Sequence, residues 1–172
     1  MEDFLPNALT HSPEHCLHGV ACAAADGLAQ RLQQAEQTCA AQGARLTPQR
    51  RQVLGLVLSA GQPVGAYELM ARLGELQGKP AAPPTVYRAL DFLLEQGLIH
   101  RLSSLNAFVP CCHFRDRHEA VFLICERCQR VQEASPQSVF GPLQDLMQAG
   151  DFRPRTALME LLGLCVACQA LA

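Results

Sequence analysis

Two Cys-x-x-Cys pairs constrain the fold of this chain more than any other feature of its sequence. Cys125 and Cys128 form the first pair, and Cys165 and Cys168 form the second. A two-residue spacer lets both sulfurs of a tight turn bind one ion, and four thiolates complete the tetrahedral shell that structural Zn²⁺ prefers. The spacing therefore predicts one closed zinc site, which stabilises structure and performs no hydrolysis.

Two independent pairs, either redox-active or merely buried, are the alternative interpretation of the same cysteines. A thioredoxin-like pair starts a helix after a strand, whereas these pairs follow Leu123-Ile124 and Leu161-Leu162-Gly163-Leu164 without a βαβ pattern. The N-terminus has no basic segment before an apolar core, and no apolar run reaches the roughly 20 residues of a membrane helix. We therefore expect a cytoplasmic protein with reduced thiols and no membrane partner.

The N-terminal half has the pattern of a winged helix-turn-helix domain, which we place at residues 26–103. Residues 1–25 show no sustained period and are interpreted as a flexible tail, whose histidines and cysteines we take as adventitious ligands. Thr47 and Pro48 form a helix start, in which threonine caps and proline takes the first helical position. The predicted helices cover 26–42, a segment from 48, 66–76 and 84–96, and the extended runs cover 98–102 and 107–111.

The charge distribution favours DNA binding by this half. The chain as a whole has a net charge of −2, which does not indicate a nucleic-acid partner. Residues 43–103, however, carry seven basic and four acidic side chains, whereas residues 1–42 carry one basic and five acidic ones. The candidate DNA module is therefore the locally basic part of the chain.

The C-terminal half, residues 104–172, has a mixed pattern of strands and a helix. Strand-like segments at 120–124, up to 131 and at 156–162 surround a helical segment at 138–149. The overall prediction is an α+β fold with an N-terminal winged helix-turn-helix domain and a C-terminal α/β domain that holds a structural zinc.

Several motifs together resemble the ferric uptake regulator (Fur) family from about residue 28 to the end. These are Leu46-Thr47-Pro48-Gln49-Arg50, Pro84-Thr85-Val86-Tyr87-Arg88-Ala89-Leu90 and the two cysteine pairs, in this order and spacing. The stretch TVYRALDFLLEQG, residues 85–97, is especially similar to the zinc uptake regulator (Zur) branch. The resemblance implies a homodimer with a C-terminal dimerisation domain, in which metal bound between the two domains favours the DNA-binding form.

The same resemblance implies a second, regulatory zinc site. Its pattern falls on His100, Cys111, His118 and Glu133. Mixed nitrogen, thiolate and carboxylate donors suit tetrahedral Zn²⁺ and disfavour a hard six-oxygen ion. Cys111 is followed directly by Cys112 and His113, either of which can supply the ligand instead. Taken one at a time, His100, His118 and Glu133 are better interpreted as ordinary surface or loop residues, and only their combination at matching spacing predicts a second zinc site.

Five residues are candidates for DNA contact. Arg88 near the start of its helix can read guanine, and Tyr87 can touch a thymine methyl group, with Thr85 beside them. The resemblance adds Tyr67 as a base or backbone contact and Arg45 as a minor-groove or phosphate contact. The alternatives are a Tyr87 packed in the core with Val86 and Leu90, and an intrahelical ion pair between Arg88 and Asp91.

The predicted function is a zinc-responsive transcriptional repressor of zinc uptake and homeostasis genes. It is expected to bind two Zn²⁺ per chain and a double-stranded DNA operator, and no small-molecule substrate. An iron or peroxide sensor is the alternative within the same class. A zinc enzyme with Glu133 as general base, and a zinc-stabilised interaction module, are the alternatives outside it. The sequence lacks the H-x-E signature of a zinc deaminase, which disfavours the enzyme hypothesis.

Overall fold

The computed structural model describes residues 18–19, 27–112, 114, 120–134, 137–153 and 158–171. Its N-terminal part contains four helices and a small sheet. The helices are α1 (Leu28–Ala41), α2 (Pro48–Ser59), α3 (Ala66–Gln77) and α4 (Pro83–Glu95). The strands β2 (Val64–Gly65), β3 (Ile99–Leu102) and β4 (Ala107–Pro110) form an antiparallel sheet in the order β2-β4-β3. This is the predicted winged-helix arrangement, with β3 and β4 as the wing hairpin.

Local sequence accounts for where these helices begin and end. The Thr47 side chain accepts a hydrogen bond from the Arg50 backbone N–H at the start of α2 (3.5 Å), and Pro48 follows it. Helix α4 begins at Pro83, one residue before the predicted start at Pro84. Gly97 follows α4 with φ of +64°, a left-handed conformation that glycine adopts without a Cβ penalty.

The core of the N-terminal part is formed by one face of each helix. Val86, Leu90 and Leu93 of α4 are buried against α2 and α3. The opposite face of α4 carries Tyr87 and Arg88, which are exposed. Burial of the apolar face, at about 25 cal/mol per Å² of apolar surface, fixes which face of α4 points outward.

Four strands of the described residues form the sheet of the C-terminal part: β1 (His18–Gly19), β5 (Ala120–Cys125), β6 (Val131–Ala134) and β7 (Leu158–Gly163). Their order in the sheet is β1-β6-β5-β7. Helix α5 (Gln137–Ala149) lies between β6 and β7 in sequence, and α6 (Val166–Gln169) follows β7. Strands β5 and β7 run parallel, while β5 and β6 run antiparallel.

Three short elements were not predicted from the sequence. His18–Gly19, within the predicted N-terminal tail, pair as β1 with β6. Val64–Gly65 pair as β2 with β4, and α6 is a single turn of helix that contains Cys168. Each spans only two to four residues, which is too short to show a period in the sequence.

A second apolar cluster joins the wing hairpin to the C-terminal sheet. Leu102 and Val109 of the hairpin are buried together with Phe122, Ile124 and Val131 of the sheet. Strand β3, which carries His100, and strand β6, which carries Glu133, thus contribute to one buried cluster. In the part of the chain that the structure describes, no helix is long and apolar enough to cross a membrane.

Candidate metal centres and nucleic-acid interface

The four cysteines of the two Cys-x-x-Cys pairs lie together, because β5 and β7 are parallel neighbours. Cys125, the last residue of β5, is in register with Gly163, the last residue of β7, so the turns that follow meet. The four Sγ atoms lie within 4.8 Å of one another, and those of Cys128 and Cys165 are 3.7 Å apart. Two thiolates on one tetrahedral zinc stand about 3.8 Å apart at a Zn–S distance of about 2.3 Å. The donor set therefore fits zinc.

The electrostatics of this cluster favour a bound cation. The pKa of Cys125 is lowered to about 6, first by the backbone N–H of Cys165, whose nitrogen lies 3.4 Å from the Cys125 sulfur, and then by the backbone N–H of Cys128. The pKa of Cys168 is raised to about 12 by burial, by hydrogen bonds with the neighbouring thiols and by the charge of Cys125. Four thiolates so close together ionise fully only when a cation shares their charge.

A second cluster contains His100, Cys111 and Glu133. One donor atom from each lies within 4.8 Å of the other two, and Cys111 and Glu133 are buried. His100 Nε2 lies 3.6 Å from Glu133 Oε1, a separation suited to two ligands of one tetrahedral ion. The donor set of one nitrogen, one thiolate and one carboxylate also fits zinc.

Two different parts of the fold supply these three residues. His100 lies on β3 and pairs with Val109 of β4, and the Cys111 N–H just after β4 donates to the Leu98 carbonyl (3.1 Å). Glu133 lies on β6 of the C-terminal sheet. An ion bound here would therefore join the wing hairpin to the C-terminal part.

The residue after Cys111 is placed differently. The Cys112 backbone N–H donates to Glu133 Oε2 (3.2 Å), and its side chain is only partly buried. Cys111, and not Cys112, lies with His100 and Glu133 at distances that allow the three to bind one metal ion. His113 and His118, the other residues that the sequence offered as ligands, lie outside the described residues.

His100 retains a proton readily in this surrounding. Burial opposes its charged form, but hydrogen bonds with Cys111 and Glu133, together with their charges, outweigh burial and raise the pKa of His100 to about 9. A zinc ion must displace that proton, since imidazole binds metal in its neutral form.

The candidate DNA contacts lie on one side of α4 and at the start of α3. Tyr87 is 44% exposed and Tyr67, the second residue of α3, is 81% exposed, so neither is a core residue. Arg88 is exposed and forms no ion pair with any described residue, which removes the predicted alternative of a pair with Asp91. Thr85 is half-buried in the first turn of α4.

Arg45 lies in the loop before α2 and is also exposed. Its carbonyl accepts a hydrogen bond from Arg50 Nη1 (2.8 Å), which fixes the loop backbone while leaving the Arg45 side chain at the surface. The five candidate residues are thus all accessible at least in part.

Comparison with known proteins identifies the family of this chain. The sequence profile described as the ferric uptake regulator family matches residues 41–162. The chain belongs to the ferric uptake regulator family. The zinc uptake regulation protein of Escherichia coli (strain K12) is 43% identical over 139 residues, which cover 80% of each protein. The corresponding protein of Shigella flexneri matches to the same extent.

Solved structures of this Fur family resemble the chain over most of its length. A zinc uptake regulator in complex with zinc and DNA has a TM-score of 0.79 at 40% identity, covering 84% of this chain and 97% of that one. The holo XcZur crystal structure has a TM-score of 0.75 at 44% identity, covering 81% and 96%. The predicted α+β fold and family are therefore confirmed, and the family is one of transcriptional regulators, not of enzymes.

Two polar residues of this Fur-family chain, which hold the wing and the segment around Cys111, were not identified from the sequence. Arg31 is buried and bonds to the carbonyls of Cys111 and Cys112, and Glu160 accepts from the backbone N–H groups of the wing turn. No motif surrounds either residue, since both act on backbone atoms more than 50 positions away. An arginine inside the apolar stripe of α1 was the only signal available.

Proposed function

We propose that this chain is a zinc-responsive DNA-binding repressor that controls zinc uptake and homeostasis genes. Binding of zinc at the site formed by His100, Cys111 and Glu133 favours the conformation that binds operator DNA. The observation that carries this proposal is the origin of the three ligands, two from the wing hairpin and one from the C-terminal sheet. A ligand that binds one arrangement of the two parts better than another shifts the population toward it.

The zinc content we propose is two ions per chain, one structural and one regulatory. The structural ion is held by Cys125, Cys128, Cys165 and Cys168, where four thiolates close the shell. The regulatory ion takes His118 as its fourth ligand, as the family pattern implies. The first set is four thiolates, and the second combines a thiolate and imidazole nitrogen with one carboxylate, so both suit tetrahedral zinc better than calcium or magnesium.

The DNA contacts we propose are Arg45, Tyr67, Thr85, Tyr87 and Arg88. Support comes from their exposure and from the core packing of α4, which turns Tyr87 and Arg88 outward. The N-terminal part of α4 then enters the major groove, where arginine forms paired hydrogen bonds with guanine. In this assignment a tail of 25 residues precedes the DNA-binding domain. Because β4 pairs with β2 and β3, that domain includes the whole wing hairpin up to Pro110, beyond the boundary at residue 103 that the sequence predicts, and the dimerisation domain follows.

The active species we propose is a homodimer formed through the C-terminal part. Strand β7 lies at an edge of the sheet among the described strands, and Leu161 and Leu162 on it are exposed. An exposed apolar edge strand is a liability in a monomer, so a second copy is the expected cover. A two-fold dimer also presents two α4 helices to the half-sites of a palindromic operator.

The experiment that tests the proposal measures zinc per chain and binding to a pool of genomic DNA fragments, before and after mild chelation. We expect two zincs falling to one, together with loss of selective DNA binding. One zinc throughout, or DNA binding that is indifferent to chelation, would contradict the regulatory site. Metal selectivity is decided by reloading the stripped protein: restoration by Fe²⁺ and not by Zn²⁺ would identify an iron sensor instead.

A further inference from the structure

Arg31 is a buried cation in the first helix of the DNA-binding part. It is 3% exposed and lies in the same stripe of α1 as the core residues Leu32, Ala35 and Cys39. A buried charge is costly unless it is paired or fully hydrogen-bonded. Among the residues that the structure describes, Arg31 forms no ion pair with a carboxylate. Its place in the core therefore requires another explanation.

The hydrogen-bond partners of Arg31 are backbone carbonyls next to the cluster of His100, Cys111 and Glu133. Nη2 donates to the Cys111 carbonyl (2.5 Å) and Nη1 donates to the Cys112 carbonyl (2.8 Å). The guanidinium carbon also lies 3.8 Å from the centre of the Phe114 ring. The planar fork of arginine thus holds two successive carbonyls and one aromatic face in one fixed geometry, which the compact ammonium of lysine with its freely rotating donors does not provide.

A second residue of α1 holds the same segment. The Thr38 hydroxyl donates to the Phe114 carbonyl at 3.4 Å, two turns further along the helix. On the other side, the N–H of Cys111 donates to Leu98 and that of Cys112 donates to Glu133. The backbone around Cys111 is therefore fixed from α1 through its carbonyls and from the wing and β6 through its N–H groups.

We propose that Arg31 is a positioning residue for the regulatory zinc site. Its guanidinium holds the backbone of Cys111 and Cys112 so that the Cys111 sulfur faces His100 and Glu133. Because α1 packs on α2, Arg31 also ties the metal-binding segment to the helices of the DNA-binding part. This inference rests on the proposed function, since it takes the cluster of His100, Cys111 and Glu133 to bind zinc.

An electrostatic role for Arg31 predicts different behaviour from a positioning role. If only its charge mattered, through stabilising the Cys111 thiolate, Arg31→Lys would behave as the wild type and Arg31→Gln would not. If the fork matters, both substitutions disturb the segment, because neither replacement holds two carbonyls and the Phe114 ring together. The two variants therefore separate the two explanations.

The experiment measures the affinity of the regulatory site for Zn²⁺ by competition with a chelator, for full-length wild type, Arg31→Lys and Arg31→Gln. Loss of a residue that orients a metal ligand typically weakens metal binding by about 10- to 100-fold. We expect both variants to lose at least about tenfold and to change the thiolate-to-metal absorption of the Co²⁺-loaded site. The matched control is Arg51→Gln, which removes an exposed ion pair between α2 and α1 and is expected to keep wild-type affinity.

A second readout uses the protein without metal in the regulatory site. With the segment no longer held, alkylation of the buried Cys111 thiol should accelerate in both Arg31 variants and not in Arg51→Gln. Wild-type zinc affinity and alkylation in Arg31→Gln, or wild-type behaviour confined to Arg31→Lys, would overturn the positioning role. Absence of a second zinc in the wild type would instead refute the proposed function, so the two failures are distinguishable.

Discussion

The Glu160 carboxylate accepts a hydrogen bond from the Ser103 backbone N–H, with Oε1 2.7 Å from the nitrogen. Its second oxygen accepts from Ser104 at 2.9 Å. Glu160 lies on β7, whereas both serines lie in the turn between β3 and β4, so the carboxylate joins the wing tip to the C-terminal sheet. The cluster of His100, Cys111 and Glu133 lies at the opposite end of the same hairpin, where the Cys112 N–H also bonds to Glu133, so the hairpin is held at both ends.

The first prediction concerns this clamp. Glu160→Gln should lower the free energy of unfolding by about 1 kcal/mol, since a charged acceptor of two N–H groups is replaced by a neutral one in a partly solvated position. It should also weaken operator binding while leaving zinc stoichiometry unchanged. Denaturant unfolding and DNA titration measure these effects. Glu95→Gln, which makes the same charge change at an exposed helix end, is the control and should not lower the free energy of unfolding, since a carboxylate at a helix C-terminus opposes the helix dipole.

The second prediction is the pH dependence of that clamp. Burial raises the pKa of Glu160, but hydrogen bonds from Ser104 and Ser103 outweigh it, so the folded pKa lies below the ordinary 4.5. As the pH falls past 4.5, Glu160 therefore takes up a proton more readily in the unfolded state than in the folded state. The stabilisation that the ionised Glu160 gives at neutral pH is lost as the pH falls further, through the lowered pKa of the folded state. The stability difference between wild type and Glu160→Gln should be constant around neutrality and shrink below pH 4.5. A difference that grows on acidification would contradict the clamp.

The third prediction separates the adjacent cysteines. Cys111→Ser should abolish zinc-dependent DNA binding while leaving a folded dimer, because it removes a thiolate ligand. Cys112→Ser should retain zinc-dependent binding, since the donor atoms that lie together come from His100, Cys111 and Glu133, and the backbone N–H that Cys112 donates to Glu133 is kept in the variant. Zinc titration with operator binding compares them. Equal loss in both variants, or unchanged operator affinity in Cys111→Ser, would refute the ligand assignment.

How far the sequence predicts this molecule depends on the range of the contacts involved. The start of α2 at Pro48 and the end of α4 before Gly97 follow from capping and glycine conformation, which act within a few residues. The Cys-x-x-Cys spacing likewise predicts a shared metal site. The strand register that brings Cys125 level with Gly163 was not predictable, because parallel pairing depends on the packing of the whole sheet.

The candidate regulatory site shows the same division. His100, Cys111 and Glu133 were predicted from a family pattern, and the structure brings them together from two sheets. Arg31 could not be predicted, because a lone arginine in a helix is usually at the surface and its acceptors lie 80 and 81 positions away. Sequence periodicity identifies faces and caps, but it does not identify a polar side chain that bonds to distant backbone.

The fourth prediction tests the DNA surface. Arg88→Gln should cost about 1–3 kcal/mol of operator binding, or roughly 5- to 150-fold in affinity, and should relax preference at one base position. Arg72→Gln on α3 makes the same charge change at a residue already paired with Glu68 and should alter operator affinity much less. Titration of operator and scrambled DNA at fixed salt distinguishes them. An equal, sequence-independent loss in both variants would show that Arg88 contributes only general charge.

The fifth prediction concerns removal of the four-cysteine metal. Cys128→Ser leaves three thiolates, and Cys128 is the exposed member of the group, so the substitution itself leaves no cavity in the core. Because an ion held by the four cysteines would join the turns after β5 and β7, its loss should increase amide exchange in both strands and loosen the dimer while the helices α2 to α4 stay protected. Hydrogen exchange with mass spectrometry measures this, with Cys112→Ser as the control thiol. Unchanged protection of β7 in Cys128→Ser would mean that packing alone holds the parallel pair, and that the zinc contributes little to the fold.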